Sequence, residues 1–337
     1  MILASLLSLV ELNCENLFDC RHDSLKNDTE FLPDGTYRWT PQRYWRKLDN
    51  IGRTILACGS GGASAYCLAG PASQAGGNGR EGAGWQWRLP DLVALCEVEN
   101  DSVMRDLTRR SLLRKACYEY VVTNSADLRG IDVALLYSPL TFRLVNSRAV
   151  SVERVGGMRP TRDVLYASGV VPGGDTLHVM VVHFPSRRGG ERLSRPYRMA
   201  AARTVAQLAD SVRALSPGAS ILVAGDFNDY SASPSLKMLA DSGLADISAG
   251  AVGANGALGT YRYQGQWASL DHILASPPMA ARLLSCRVFD APFLLAPDER
   301  YGGVKPRRNY VGPRYMDGFS DHLPLVATFC LDMEPHP

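Results

Sequence analysis

Residues 221–230 read ILVAGDFNDY. Four apolar residues run into a glycine, and Asp226, Asn228 and Asp229 follow within four positions. A short continuous apolar run of this kind is the pattern of a strand buried on both faces. Here the run ends abruptly in two acids and an amide. A carboxylate at the edge of an apolar strand is costly unless it is paired or bound to a metal. The stretch therefore predicts a central strand whose rim carries chemistry.

Working outward, seven more segments predict buried strands. They are 6–13 (LLSLVELN), 91–98 (DLVALCEV), 132–138 (DVALLYS), 164–171 (VLYASGVV), 177–184 (LHVMVVHF), 269–275 (SLDHILA) and 323–331 (LPLVATFCL). Each is rich in Val, Leu or aromatic residues and is bounded by polar, Gly or Pro residues. Helical patterns fall between them. Thr40-Pro41 is an N-cap with proline at the first helical position, and the pattern continues to about Ala57. Further helices are predicted over 101–116, 195–215 and 233–243, the last opened by Ser233-Pro234. Strands and helices do not alternate one for one. The fold class is therefore α/β (α+β), with two packed mixed sheets flanked by helices.

The 337 residues suit one large domain or two ordinary ones, and no Pro/Ser-rich linker divides them, so a single domain over 1–337 is expected. The stretch 59–88 differs, with nine glycines between 59 and 84 and no apolar periodicity. It reads as a loop or insertion. Lysine plus arginine number 36 against 34 acids, a net charge of +2, so any anion site must be local. The eight cysteines form no CxxC pair, which speaks against a zinc ribbon. The apolar start, MILASLLSLVELN, has no preceding Lys or Arg and is too short to span a bilayer before Glu11. A first buried strand is favoured over an export signal, and cytoplasm over export. No other stretch reads as a membrane helix.

The polar strand ends recur. The first strand ends in Asn13 and Glu15, the second in Glu97, and the 177–184 strand in His183, followed by Arg187. Asp271-His272 interrupts the 269–275 strand, and Ser320-Asp321-His322 leads into the last one. One such group could be a structural ion pair. Six of them suggest convergence on one site. Carboxylates, carboxamides and imidazoles without a thiolate select Mg²⁺ or Mn²⁺ over zinc. Together they suit metal-assisted displacement at phosphorus.

The motifs LNCENLFD, LVALCEVEN, VVHFPSR, VAGDFND, SLDHIL and FSDHLPLVATF stand in the order found in the endonuclease/exonuclease/phosphatase superfamily, which this chain resembles over residues 12–329. The resemblance implies a four-layered α/β sandwich with a divalent-metal site at one rim. It implies that Glu97 is the principal metal ligand, with Glu15 and Asp321 near the metal. Asp226 resembles the carboxylate that deprotonates the attacking water; an ordinary aspartate is ionised at neutral pH and can serve. Asn13 resembles the amide that contacts the phosphate or orients Glu97, and Asn228 the amide that hydrogen-bonds the phosphate. Asp271 and His322 resemble the carboxylate–imidazole pair that binds a phosphoryl oxygen. His183 resembles the histidine that contacts the phosphate or leaving oxygen. Arg162 lies where related nucleases place a phosphate-binding arginine. Asp229 and His272 read as structural, and Asp132 as a group orienting His183.

Two basic runs remain. One comprises Arg187, Arg188, Arg192, Arg195 and Arg198. The other comprises Arg300, Lys305, Arg307, Arg308 and Arg314, interleaved with Tyr301, Tyr310 and Tyr315. Arg187, Arg307 and Arg308 are the candidate phosphate contacts. The expected activity is a metal-dependent phosphoesterase, endonuclease-like, with DNA or RNA as candidate substrates. The alternatives are a phosphatase for a phosphoinositide or other small phosphoester and, more remotely, a non-catalytic binding protein of the same fold. No protein partner is implied.

Overall fold

The computed structural model describes residues 5–59 and 88–331. The glycine-rich loop expected at about 59–88 lies, apart from its two end residues, outside the described residues.

Two six-stranded sheets dominate. The first comprises β1 (Leu6–Leu17), β2 (Leu92–Val98), β3 (Glu119–Val122), β4 (Asp132–Tyr137), β13 (Leu283–Val288) and β18 (Leu325–Cys330), in the order β13-β18-β1-β2-β4-β3. The second comprises β5 (Arg143–Val150), β6 (Val164–Val170), β7 (Thr176–His183), β8 (Ser220–Asp226), β9 (Ala245–Asp246) and β12 (Asp271–Ala275), in the order β5-β6-β7-β8-β12-β9. Among the described residues, three two-stranded ribbons complete the strands: β10 (Tyr261–Tyr263) with β11 (Gln266–Ala268), β14 (Leu295–Pro297) with β15 (Val304–Pro306), and β16 (Tyr310–Val311) with β17 (Arg314–Tyr315).

Strand alternation decides the layers. In β8, Leu222 and Ala224 face the first sheet, where they join Leu9, Leu95, Val133 and Ala327 in one apolar core. Ile221 and Val223 face the other way and pack against Ala201, Val205 and Leu208. Those three belong to α3 (Glu191–Leu215), which with α4 (Pro234–Asp241) covers the outer face of the second sheet. On the first sheet, α1 (Pro41–Cys58) and α2 (Asp101–Arg109) supply Leu48, Ile51, Val103 and Leu107. The result is a helix–sheet–sheet–helix sandwich. A short helix, α5 (Pro277–Ala281), joins β12 to β13.

Caps explain the helix limits. Thr40 Oγ1 accepts the Arg43 N–H at 3.4 Å, and Asn100 Oδ1 accepts the Val103 N–H at 3.0 Å. The helix expected over 101–116 stops at Arg109. Ser111 then recaps a 3₁₀ turn over Leu112–Lys115 by accepting the Leu113 N–H. The helix expected from Arg195 starts earlier, at Glu191 after Gly190, and contains Pro196.

Connectivity places the site. β1 runs parallel to β2, and β7 parallel to β8; the remaining ladders are antiparallel. The C-terminal ends of these four parallel strands carry Asn13 and Glu15, Glu97, His183 and Asp226. β12 begins with Asp271 directly opposite Asp226, and His183 is the register partner of Asp226 on the other side. Among the described residues, no helix is long and apolar enough to cross a membrane. The seven described cysteines are free thiols.

Candidate active site

The backbone is strained where the strands end. Glu15, Asn16, Glu97 and Asn228 have φ values of 50°, 58°, 61° and 48°. Side chains with a Cβ rarely adopt this left-handed conformation. In β1 and β2 it coincides with breaks in ladder register between Asn13 and Leu17 and between Cys96 and Val98. These bulges re-aim side chains at the rim. Gly225 solves a different problem. Its φ is 152°, and a Cβ there would sit 1.8 Å from the Val182 carbonyl oxygen. Only glycine lets β7 and β8 close up enough to bring His183 beside Asp226.

Asp226 is the hub. Its Oδ2 accepts Asn13 Nδ2 at 3.0 Å, and its Oδ1 accepts the Asn228 N–H at 2.7 Å. His183 Nε2 lies 3.6 Å from Asp226 Oδ2 and 3.9 Å from Glu97 Oε1. Asp271 Oδ2 and His322 Nδ1 are 2.7 Å apart, and both side chains are buried. Ser320 Oγ donates to the Asn13 carbonyl at 2.6 Å and accepts the His322 N–H at 3.1 Å, locking the Ser320-Asp321-His322 turn to β1.

The environment separates the protonation states. Burial, then the neighbouring Asp271 carboxylate, pushes the Asp226 carboxyl up to about 7. The expectation of an ordinary ionised aspartate is thus replaced by a group poised at neutrality. Burial opposes charge on His322, but the charge and hydrogen bond of Asp271 overcome it and hold the imidazole well above its ordinary value. His183 goes the other way: burial, then Arg162, Arg129 and His322, depress it strongly, so it is neutral.

A cleft of about 1350 Å³ opens over these groups. Asn13, Glu97, His183, Asp226, Asn228, Asp321 and His322 line it, with Arg129, Arg187, Arg188 and Arg308. Phe31, Tyr37, Tyr230, Tyr261, Tyr263, Trp267 and Tyr310 form much of its wall. Asp271 stands behind His322, fully buried.

Several expected residues have other tasks. Arg162 is not in the cleft. It is buried, donating through Nε to the His183 carbonyl at 3.2 Å and through a terminal nitrogen to the Phe184 carbonyl at 2.6 Å, with Asp127 at 3.3 Å. Such fork donors clamp the end of β7 from behind. Asp132 does not reach His183; it accepts from Thr123 Oγ1 at 2.5 Å and from the Ser125 N–H. Glu15, expected beside the metal, lines the cleft, and its oxygens accept the Asn309 and Tyr310 N–H groups at 2.5 and 3.2 Å. It ties the 307–315 segment to the rim, and burial, then Asp321, pushes its carboxyl up to about 7. Arg307 lies outside the cleft lining and donates to the Asp317 carbonyl at 3.1 Å. Arg308 is in the cleft but pairs with Asp321 at 3.1 Å and lies 3.5 Å from Glu15.

The 187–198 run is largely an ion-pair network. Arg187 and Arg198 both reach Asp229, at 3.2 and 2.9 Å, and Glu191 pairs with Arg187, Arg195 and Arg198. Arg187 also packs over the Tyr230 ring, 4.6 Å from its centroid. Asn228 Nδ2 donates to the Phe184 carbonyl at 3.1 Å, leaving one of its two hydrogens. His272 points away from the cleft, to Asp246 at 2.9 Å and the Asp229 carbonyl at 3.0 Å.

Lys47, Asn50 and Arg129 carried no usable sequence signal. Lys47, fully buried in the pattern of α1, donates to the Phe319 carbonyl, and Asn50 one turn on donates to the Gly318 carbonyl at 2.8 Å. Both hold the loop that presents Asp321 and His322. Arg129, in the turn before β4, bonds Asn16 Oδ1 at 2.7 Å and lies 4.0 Å from Glu97. Glu11 is buried within β1.

The donor set fits a hard divalent cation. Glu97 Oε2 accepts the Asn16 N–H at 2.8 Å, while Oε1 has only the His183 and Arg129 nitrogens near 4 Å. Glu97 and Asp321 both line the cleft, and among the described residues no cysteine lines it. Among the described residues, Asp226, Asp271 and His322 are the group whose ligand-type atoms lie within 4.8 Å of one another. Two of those atoms already bond each other, so the trio is a carboxylate beside a hydrogen-bonded pair rather than an open cage.

The profile of the Endonuclease/Exonuclease/phosphatase family matches residues 8–68 and 84–330. Among solved structures, an endonuclease/exonuclease/phosphatase family protein from Bacteroides thetaiotaomicron superposes with a TM-score of 0.58 at 14% identity, covering 98% of this chain and 99% of its own. Truncated TDP2 from Caenorhabditis elegans gives 0.54 at 16% identity, covering 96% and 97%. A mannosyl-6-phosphatase from B. thetaiotaomicron gives 0.57 at 14% identity, covering 95% and 98%. No curated protein matches the chain.

Proposed function

Because the chain belongs to the Endonuclease/Exonuclease/phosphatase family, we propose that it hydrolyses a phosphoester in a divalent-metal-dependent reaction, with Asp226 as base and His322 as oxyanion partner. One observation carries the reading. Asp226, raised to about 7, and an imidazolium paired to Asp271 converge from segments 96 residues apart on one cleft. A carboxyl and an imidazole both moved from their ordinary values in one cleft mark an acid–base site.

Glu97 and Asp321, both lining the cleft, would hold Mg²⁺ or Mn²⁺, which when bound neutralises phosphoryl charge. Asn13 and the Asn228 N–H fix the two oxygens of Asp226, leaving lone pairs for a water molecule. Asp226 takes the water proton as the oxygen attacks phosphorus. The bond to the leaving oxygen breaks as the new one forms. His322, protonated and held by Asp271, donates to a phosphoryl oxygen as charge builds. Neutral His183 offers Nε2 between Asp226 and Glu97. The remaining Asn228 hydrogen is a further donor.

The cleft wall favours a large substrate. Arginines beside exposed aromatic rings suit a phosphodiester flanked by rings that stack. This supports an endonuclease-like activity over a phosphatase for a small phosphoester, which the near-neutral charge would otherwise suit. The test is metal-dependent hydrolysis of bis-p-nitrophenyl phosphate by wild type, Asp226→Ala and His322→Ala, run beside plasmid nicking and a phosphate-release panel. An inert, folded wild type would refute the enzyme. Intact plasmid with released phosphate would replace the nuclease with the phosphatase.

A further inference from the structure

Glu11 lies in the middle of β1 and is 0% exposed. Alternation along the strand puts it on the same face as Leu9 and Asn13, towards the second sheet, and Asn13 on that face reaches Asp226. Among the described residues, neither oxygen of Glu11 has a hydrogen-bond partner. Oδ1 of Asp271 is likewise buried and without one. An apolar side chain would fill this position without the cost of an unsatisfied polar group. The carboxyl therefore calls for an explanation.

The titratable groups that bear on Glu11 come from each strand around it. They are Asp271 on β12, Asp226 on β8 and His322 before β18, with the thiols of Cys96 on β2 and Cys14 on β1. His322 is the one potential cation in this set. An ionised Glu11 would make a third carboxylate around it. Burial, then Asp271 and Asp226, hold the Glu11 carboxyl well above the carboxylate range, so it keeps its proton. A protonated carboxyl is a donor, and Asp271 Oδ1 is an acceptor that lacks one.

We propose that Glu11 is a positioning residue: its carboxyl O–H donates to Oδ1 of Asp271, so that Glu11, Asp271 and His322 form one buried hydrogen-bonded chain behind the cleft. With one donor on each oxygen, the Asp271 carboxylate has a single orientation, and so has the imidazole it holds. The link to catalysis rests on the phosphoesterase reading; the chain itself does not.

Two measurements on the full-length protein test it. Infrared spectra at neutral pH are compared for wild type, Glu11→Gln and Asp271→Asn. Asp226, Glu15 and Glu99 also carry protons near neutral pH, so the Glu11 band is read from the wild-type minus Glu11→Gln difference. One protonated-carboxyl C=O component is expected in wild type, lost in Glu11→Gln, and moved to higher frequency in Asp271→Asn, whose amide is the weaker acceptor. No such band, or a band unmoved by Asp271→Asn, overturns the chain. Kinetics then test its use. Glu11→Gln, a neutral donor of the same shape, keeps kcat within about threefold. Glu11→Leu, which cannot donate, loses about 10- to 100-fold in kcat with KM within about twofold. Equal losses in both variants, or an unchanged kcat in a folded Glu11→Leu, overturn the positioning role. If Glu11→Leu does not fold, the infrared comparison still decides. If wild type hydrolyses no phosphoester, the proposed function fails while the infrared result stands or falls by itself.

Discussion

Asp271→Asn separates the two tasks assigned to one buried pair. In the native protein Asp271 Oδ2 lies 2.7 Å from His322 Nδ1, and this carboxylate is what holds the imidazole protonated against burial. Asparagine keeps the size but removes the charge. Burial is then opposed only by the Asp321 and Asp226 charges, so the imidazole holds its proton less strongly. Losing one preorganised charged donor to the transition state costs about 3–4 kcal/mol, or about 10²–10³ in kcat. The pH profile must move as well, and its sign follows from the two groups. Activity rises as Asp226 loses its proton, at about 7 in the native protein, partly because Asp271 repels its charge. Removing that charge lowers Asp226, so the rising limb moves to lower pH. Activity falls as His322 loses its proton, and that limb also moves to lower pH. The variant should thus show a weak optimum displaced towards acid, measured as kcat/KM against pH with bis-p-nitrophenyl phosphate. Mn²⁺ affinity should be little changed, since Glu97 is untouched. A falling limb left in place, or a rate within threefold of wild type, would refute the assignment of His322.

Three further outcomes follow from the same geometry. Gly225→Ala would press a Cβ to 1.8 Å from the Val182 carbonyl oxygen at a φ of 152°, and should cost at least about 3 kcal/mol in urea unfolding. Lys47→Met strands the buried Phe319 carbonyl, so a loss of about 1–3 kcal/mol is expected, together with reduced kcat as the loop bearing His322 loosens. Metal-free protein should lose stability from about pH 6.5 to pH 8. Asp226 and Glu15, raised to about 7, and Glu99, raised to about 8, favour the fold only while protonated, and that contribution fades as pH climbs through those values. His322 acts in the same direction, while His183, depressed by burial, opposes the trend below about pH 6.5, so the net loss is read from about pH 6.5 to pH 8. Excess Mn²⁺ at pH 8 should raise the urea midpoint, by about 2.7 kcal/mol at a hundred times its Kd. A midpoint that rises with pH in the absence of metal would contradict this.

The interior strands and the rim were legible because they obey one rule. A strand covered on both faces must be continuously apolar, so any acid, amide or imidazole in it stands out. Thus LVALCEV, VMVVHF and LVAGDFN announced Glu97, His183, Asp226 and Asn228 along with the layers that hold them. The edge strand β5 was missed for the converse reason: RLVNSRAV is mostly exposed and has no apolar face to betray it. The β10–β11 hairpin was missed because Gln264 and Gly265, at φ 48° and 81°, form its turn with a less familiar pair than Asn-Gly. That omission hid Tyr263 and Trp267, which the cleft uses.

The arginines show where sequence position stops being informative. Arg162, Arg187, Arg307 and Arg308 all stand near motif residues, yet a guanidinium on a flexible stem takes whichever acceptor the fold presents. Arg162 took the carbonyls of His183 and Phe184; Arg308 took Asp321. A strand residue has one of two directions, so its neighbours follow from parity. A long charged side chain is resolved only by the three-dimensional supply of acceptors. Glu11 lies between these cases. Parity places it in the same line as Asn13, and its charge type forbids it there without a partner. Both facts were in the string LVELN. What no string could supply was the unpartnered oxygen of a second carboxyl group, Asp271, 260 residues away in the chain and across the sheet interface.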